Sequence, residues 1–211
     1  MIEVVHEDNH LLVVNKPAGL LAQGDHTGDA TLVDLAKAYL KEKYNKPGNV
    51  YLGLVHRLDR PASGLVVLAK TSKAASRLSE QFRKSSIEKY YTALVEGLPP
   101  SSGDWTDDLI RDEQHSRVAR PGEHGGKKAR LTYEVVAQHH KHTRVYIHLI
   151  TGRHHQIRVQ FAARKHPLLG DMRYHSTQSF PNRAIALHAT QLSIDHPTTK
   201  ERLTFRVEPN W

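Results

Sequence analysis

Val55-His56-Arg57-Leu58-Asp59-Arg60-Pro61-Ala62-Ser63-Gly64-Leu65-Val66-Val67-Leu68-Ala69-Lys70 sets a charged loop between two apolar stretches. Leu52 to Val55 reads as a strand. Leu65 to Ala69 is an unbroken apolar run of the length that suits a buried strand. Asp59 has Arg57 and Arg60 beside it in sequence, so its carboxylate is expected to stay ionised. Gly64 permits a tight turn or a close backbone approach. Taken alone, the stretch also fits an aspartate capping a turn between solvated arginines.

Upstream, Val4-Val5 and Leu11-Leu12-Val13-Val14 read as two short strands across the polar turn His6 to His10. Asn15-Lys16-Pro17-Ala18-Gly19 breaks the pattern. Thr31-Leu32-Val33-Asp34 opens a helix with a hydroxyl cap and a carboxylate three residues on. Leu32, Leu35, Ala36, Tyr39 and Leu40 form its apolar face, and Asn45-Lys46-Pro47-Gly48 stops it. Downstream, Ser72 is expected to cap a helix with Ala75, Leu78 and Phe82 on one face. Tyr90 to Val95 reads as a strand. Leu98 to Lys128, rich in Pro, Gly and charge, reads as an irregular excursion with some short strand. A hairpin is predicted over Leu131 to Val136 and Arg144 to Leu149, around His139-His140-Lys141-His142. Arg153 to Arg164 reads as a helix with Ile157 and Phe161 inward. A second hairpin is predicted over Ala189 to Ile194 and Arg202 to Val207. Strands dominate and are mostly joined by short hairpins, so the fold class is α+β with a mostly antiparallel sheet and flanking helices.

A second charged element is Thr151-Gly152-Arg153-His154-His155-Gln156-Ile157-Arg158-Val159. Free backbone N–H donors at a helix start, with Arg153 and Arg158, favour an anion such as phosphate or a carboxylate elsewhere in the protein. An ordinary basic helix N-terminus is the plainer reading, although arginine beside the positive end of a helix dipole is locally unfavourable.

The 211 residues are enough for one domain, or one domain with two lobes. The net charge is +8 and the sequence pI is near 9.7, which suits a polyanionic partner. The chain has no cysteine, which excludes disulfides, a thiolate nucleophile and Cys-ligated zinc. Sixteen histidines invite a metal reading. However, His139, His140 and His142 lie in a probable hairpin loop, His154 and His155 would point apart on a helix, and no His-Glu-x-x-His element occurs, so no metal is expected. Ser63 lacks the Gly-x-Ser-x-Gly elbow of a hydrolase. The acidic N-terminus does not read as a signal peptide, and no apolar run approaches the ~20 residues needed to cross a bilayer. A cytoplasmic location and no membrane partner are therefore expected.

Together these elements resemble the RluA-type family of RNA pseudouridine synthases. His56 to Lys70 matches the family's His-Arg-Leu-Asp element, which is followed by a small residue, Ser-Gly and an apolar strand ending in Ala-Lys. Asn15-Lys16-Pro17-Ala18-Gly19-Leu20 is similar to its Lys-Pro-x-Gly element. Lys89 to Gly97 resembles its Lys-x-Tyr-x-Ala-x-Val-x-Gly strand, and Lys128 to Val135 its next strand. Gly152 to Val159 resembles its Gly-Arg-x-His-Gln-Ile-Arg element. Leu168-Leu169-Gly170-Asp171 with Tyr174, then Leu187-His188-Ala189, complete the order.

The resemblance implies isomerisation of specific uridines in rRNA or tRNA on a pseudouridine synthase fold with a central cleft. Asp59 would be the catalytic aspartate and Arg153 its partner. Tyr91 would stack on the target base. Arg57 would fill the space left by the flipped-out nucleotide, with His56 and Lys16 grouped with it on the RNA side. Ile157 and Leu187 would be apolar walls. The reaction needs no redox change and no external group, so no cofactor is expected. The carboxylate route stays open between attack at C1′, addition at C6 and elimination to a glycal. Two positions depart from the family: Gln160 stands where a histidine is usual, and His154 where Thr or Ser is common. Residues 1–211 are expected to form a single catalytic domain, with no room for a separate N-terminal RNA-binding domain, and to act as a monomer. The alternative is a non-catalytic RNA-binding module or RNA chaperone on the same scaffold.

Overall fold

The computed structural model describes residues 2–25, 27–112 and 115–211; positions 113 and 114, within the Leu98 to Lys128 excursion, fall outside them. In chain order the strands and helices are β1 (Glu3–Glu7), β2 (Leu11–Lys16), α1 (Leu32–Lys43), β3 (Gly53–Leu54), β4 (Ser63–Ala69), α2 (Ser72–Lys84), β5 (Glu88–Glu96), β6 (Ser102–Arg111), β7 (Ser116–Val118), β8 (Lys127–Gln138), β9 (His142–Leu149), α3 (Gln156–Ala163), β10 (Leu187–Asp195) and β11 (Arg202–Arg206). This is the expected α+β class: strands paired antiparallel and three α-helices among the described residues. The chain divides into two compact units, Met1–Ile87 with Ala189–Trp211, and Glu88–His188.

In the first unit, β2 pairs antiparallel with β1 on one side and with β4 on the other. The register sets Leu11 opposite Ala69 and Lys16 opposite Gly64. It therefore delivers the Lys16 side chain to the end of the loop that carries Asp59. Alternate residues Leu11, Val13, Leu65, Val67 and Ala69 join Leu78 of α2 and Ile194 of β10 in one core. The even positions of β2 and β4 are buried too, so each reads as a continuous apolar run rather than an alternating one. Thr31 caps α1 as expected. Its hydroxyl accepts the Asp34 N–H at 3.2 Å, and the Asp34 carboxylate accepts the Thr31 N–H at 3.1 Å. The cap of α2 is one residue earlier than expected: Thr71 accepts the Ala74 N–H at 3.1 Å, and Ser72 is already helical.

In the second unit the antiparallel order is β5-β9-β8-β6-β7. The excursion after Leu98 carries more strand than expected, while residues 119–126 are irregular. β6 is a ten-residue strand paired with β8 from Ser102 opposite Glu134 to Leu109 opposite Lys127. Its alternation was hidden because the inward positions are Gly103, Trp105, Asp107 and Leu109, two of them not apolar. The inward Asp107 is satisfied by Arg164 at 3.0 and 3.1 Å and by Gln160 Nε2 at 2.7 Å. The helix expected from Arg153 starts three residues later, because His155 has φ 53° and blocks a further turn. His154 and His155 consequently precede the helix, and their rings stack at 3.7 Å instead of pointing apart.

Candidate active site

The loop 56–63 hangs between Leu58, which is buried, and β4. The Ala62 N–H donates to the Asp59 carbonyl at 3.1 Å and closes a turn with Asp59 at its head. Lys16 clamps this turn. Its side chain is fully buried, and its ammonium donates to the carbonyls of Pro17 (3.0 Å), Leu20 (2.8 Å), Arg60 (3.3 Å) and Ala62 (2.7 Å). Three N–H bonds serving four carbonyls tie the Lys-Pro-x-Gly loop to the backbone that immediately follows Asp59. Burial pushes the Lys16 pKa down to about 8, and the charge of Asp59 opposes that shift. The ammonium of Lys16, expected on the RNA side, is bonded to backbone carbonyls.

Gly64 is required where it stands. It has φ +114°, and a Cβ would lie 2.8 Å from the Ala189 Cα and closer still to the Ala189 N and O. The close approach makes the loop's exit from β4 unavailable to any other residue. Arg60 turns away from Asp59, donating to Asp29 Oδ2 at 2.7 Å and to the Gly19 carbonyl at 3.1 Å. Lys16 is one cation whose charge Asp59 feels. The His56 ring stacks on Phe82 at 4.6 Å, and its Nε2 accepts the Val67 N–H at 2.9 Å. That fixes Nε2 as the acceptor and gives His56 a packing task in place of an RNA-facing one. Arg57 is exposed.

The second unit gathers the other expected residues. Tyr91, half-buried, stands opposite Ile147 on β9. Tyr90 points to the other face, stacked on His148 at 4.6 Å and Tyr146 at 5.3 Å, as a packing residue. Arg153 is exposed, and its Nε–H donates to the Lys128 carbonyl at 2.9 Å. Gln156 organises the turn that presents it. The Gln156 Oε1 accepts the Arg153 N–H at 3.0 Å and the Thr151 hydroxyl at 2.8 Å, while its Nε2 donates to the Arg130 carbonyl at 3.1 Å. Ile157 and Leu187 are buried. Arg158 does not face a ligand. It is buried and makes a two-pronged pair with Asp171, at 2.6 and 2.8 Å. Gln160, at the position where the family usually has His, is buried and donates to Asp107.

Lys89 carries no role in the sequence reading, yet it belongs to this cluster. Burial and then the neighbouring Arg153 charge push its pKa down to about 8. A Cβ on Gly152 would stand 3.5 Å from its Nζ. The available signal was its place two residues before Tyr91, on the same face of a strand.

Comparisons with known proteins decide the family. A profile of the RNA pseudouridylate synthase family matches residues 10–163. The dual-specificity RNA pseudouridine synthase RluA of Pasteurella multocida is 37% identical over 99% of this chain and 93% of its own length. The chain belongs to the RNA pseudouridylate synthase family. A ribosomal large subunit pseudouridine synthase D of Zymomonas mobilis is 36% identical over 98% of this chain and 69% of that protein. Among solved structures, human RNA pseudouridylate synthase domain containing 4 superposes with a TM-score of 0.83 at 25% identity, covering 99% of this chain and 89% of the other. Membership makes the chain an isomerase, an RNA pseudouridine synthase, and RNA its substrate class. No helix among the described residues is long and apolar enough to cross a membrane.

Proposed function

We propose that this synthase isomerises specific uridines of rRNA or tRNA with Asp59 as its essential carboxylate, the two units serving one monomeric, cytoplasmic catalytic domain. The observation that carries this reading is the Lys16 clamp. A buried ammonium on four carbonyls ties the backbone just after Asp59 to the Lys16–Leu20 loop and lends positive charge to the Asp59 carboxylate. Holding a carboxylate in one place is what attack at C1′, addition at C6 and elimination to a glycal all require. The target nucleotide leaves its stack, which costs a few kcal/mol. Exposed Arg57 occupies the vacated space, and Tyr91 stacks on the uracil, offsetting about 1–3 kcal/mol. Arg153 serves the same reaction as a cation close to the chemistry, and Ile157 and Leu187 supply apolar lining beside it. The reaction moves one hydrogen from C5 to N1 and exchanges one glycosidic bond for another, so it needs no cofactor.

The test is a map of carbodiimide-dependent reverse-transcription stops in rRNA and tRNA from cells with and without the gene. The proposal predicts at least one uridine whose stop vanishes without the gene and returns with the wild-type copy. Identical maps would leave the non-catalytic RNA binder as the better reading.

A further inference from the structure

Arg153 lies on a turn with no helical support, since α3 begins at Gln156 without a side-chain cap at His155. One side of that turn is held by Gln156 and Lys128. The other side is held by a closed ring of polar contacts. Tyr174 Oη lies 2.8 Å from His155 Nδ1 and accepts the Ser116 N–H at 3.0 Å. Ser116 Oγ lies 2.9 Å from His154 Nδ1. The rings of His154 and His155, stacked at 3.7 Å, close the circuit. Both Ser116 and Tyr174 are buried, so the bonds are shielded from competing water. The Tyr174 ring is itself fixed, because the Arg158 guanidinium lies 5.1 Å over it and is held by Asp171.

We propose that Ser116, His154, His155 and Tyr174 form a positioning clamp that fixes the Arg153 turn and fastens it to β7. Tyr174 Oη thus holds the Ser116 backbone and the His155 ring at once. His154 both reaches Ser116 Oγ and stacks on His155. A shorter side chain there would not stack on His155. The clamp also makes β7 and β8 one mechanical support, because Arg153 leans on Lys128 of β8 while its neighbour leans on Ser116 of β7. The inference rests on the proposed role of Arg153 in the reaction.

Two readouts test it. The first needs no RNA: the side-chain Nε–H resonance of Arg153, observed by ¹⁵N NMR and assigned by its loss in Arg153→Ala. Tyr174→Phe and Ser116→Ala should shift this resonance towards solvent-exposed arginine and speed its hydrogen exchange at least tenfold, while Ser116→Thr, which keeps the hydroxyl, should preserve it. The second is kinetic, on the RNA identified by the stop map. Tyr174→Phe should lower kcat about tenfold with KM within twofold of wild type. In an Arg153→Ala background the same change should have no further effect. An unmoved Arg153 resonance in both Tyr174→Phe and Ser116→Ala overturns the clamp. So does a tenfold loss from Tyr174→Phe that persists without Arg153. If no RNA is modified by the wild type, the functional reading fails, and the resonance alone still decides the clamp.

Discussion

At the scale of single residues, Lys16 makes the sharpest claim. Its folded pKa of about 8 lies below the ordinary lysine value of 10.5. Between those values the unfolded chain holds a proton that the folded chain has released, so this group's contribution to stability rises with pH through that window and is flat below it. Urea denaturation of wild type and Lys16→Met from pH 7 to 10.5 should show the difference moving in favour of wild type above pH 8. A difference independent of pH would mean that the ammonium is not caged. Catalysis should move the other way, since a neutral amine has fewer donors for the carbonyls that follow Asp59. Gly64 supports a second expectation. Gly64→Ala meets both a positive φ and the Ala189 backbone, and should cost about 3 kcal/mol or more in the same denaturation assay. A loss under about 1 kcal/mol would contradict the close approach. Both residues stood in recognisable sequence elements, yet only Gly64 was read for its reason. Nothing in Asn15-Lys16-Pro17 says that the ammonium turns inward, because the carbonyls it meets lie up to 46 positions away.

Among the elements, strand and helix identity followed from patterns that local chemistry fixes. The capping box at Thr31, the continuous apolar runs of β2 and β4, and the hairpin turns all survive in the structure. Two elements were misjudged for physical reasons. β6 conceals its period because Asp107 faces inward, at a cost met by Arg164 and Gln160, which come from α3 and the residue after it. Asp107→Ala would strip the charge partner from Arg164 and the shorter of two acceptors from buried Gln160, and should destabilise the chain by about 1–3 kcal/mol. Chemical denaturation checks this, and a neutral result would remove the reason given for a polar residue inside β6. α3 begins late because its first turn is replaced by side-chain bonds from Gln156, a tertiary solution that helix periodicity does not encode.

Across the whole molecule, the net charge of +8 pointed correctly to a polyanion, while the identity of that polyanion came from the ordered elements and the family match. The β6–β8 region leaves Arg111, Arg120, Lys127 and Lys128 exposed, while Arg117 is committed to Glu123 at 2.6 and 2.7 Å. Where Lys127 and Lys128 meet phosphates, replacing each by alanine lowers the log–log salt slope of RNA binding by about 0.7–0.9. Filter binding across a salt series measures the slope, and an unchanged slope would place the RNA elsewhere. Sequence showed which residues are candidates in each unit. It left unread which of them face inward to support others, as Lys16, His56 and Arg158 do, because orientation depends on contacts far away in the chain.

The role of Asp59 is tested most directly by single-turnover conversion of the mapped uridine by Asp59→Asn, with RNA affinity measured in parallel. Loss of all detectable pseudouridine with affinity within a few-fold of wild type is the predicted result. Conversion at a rate near that of wild type would show that the chemistry belongs to another group.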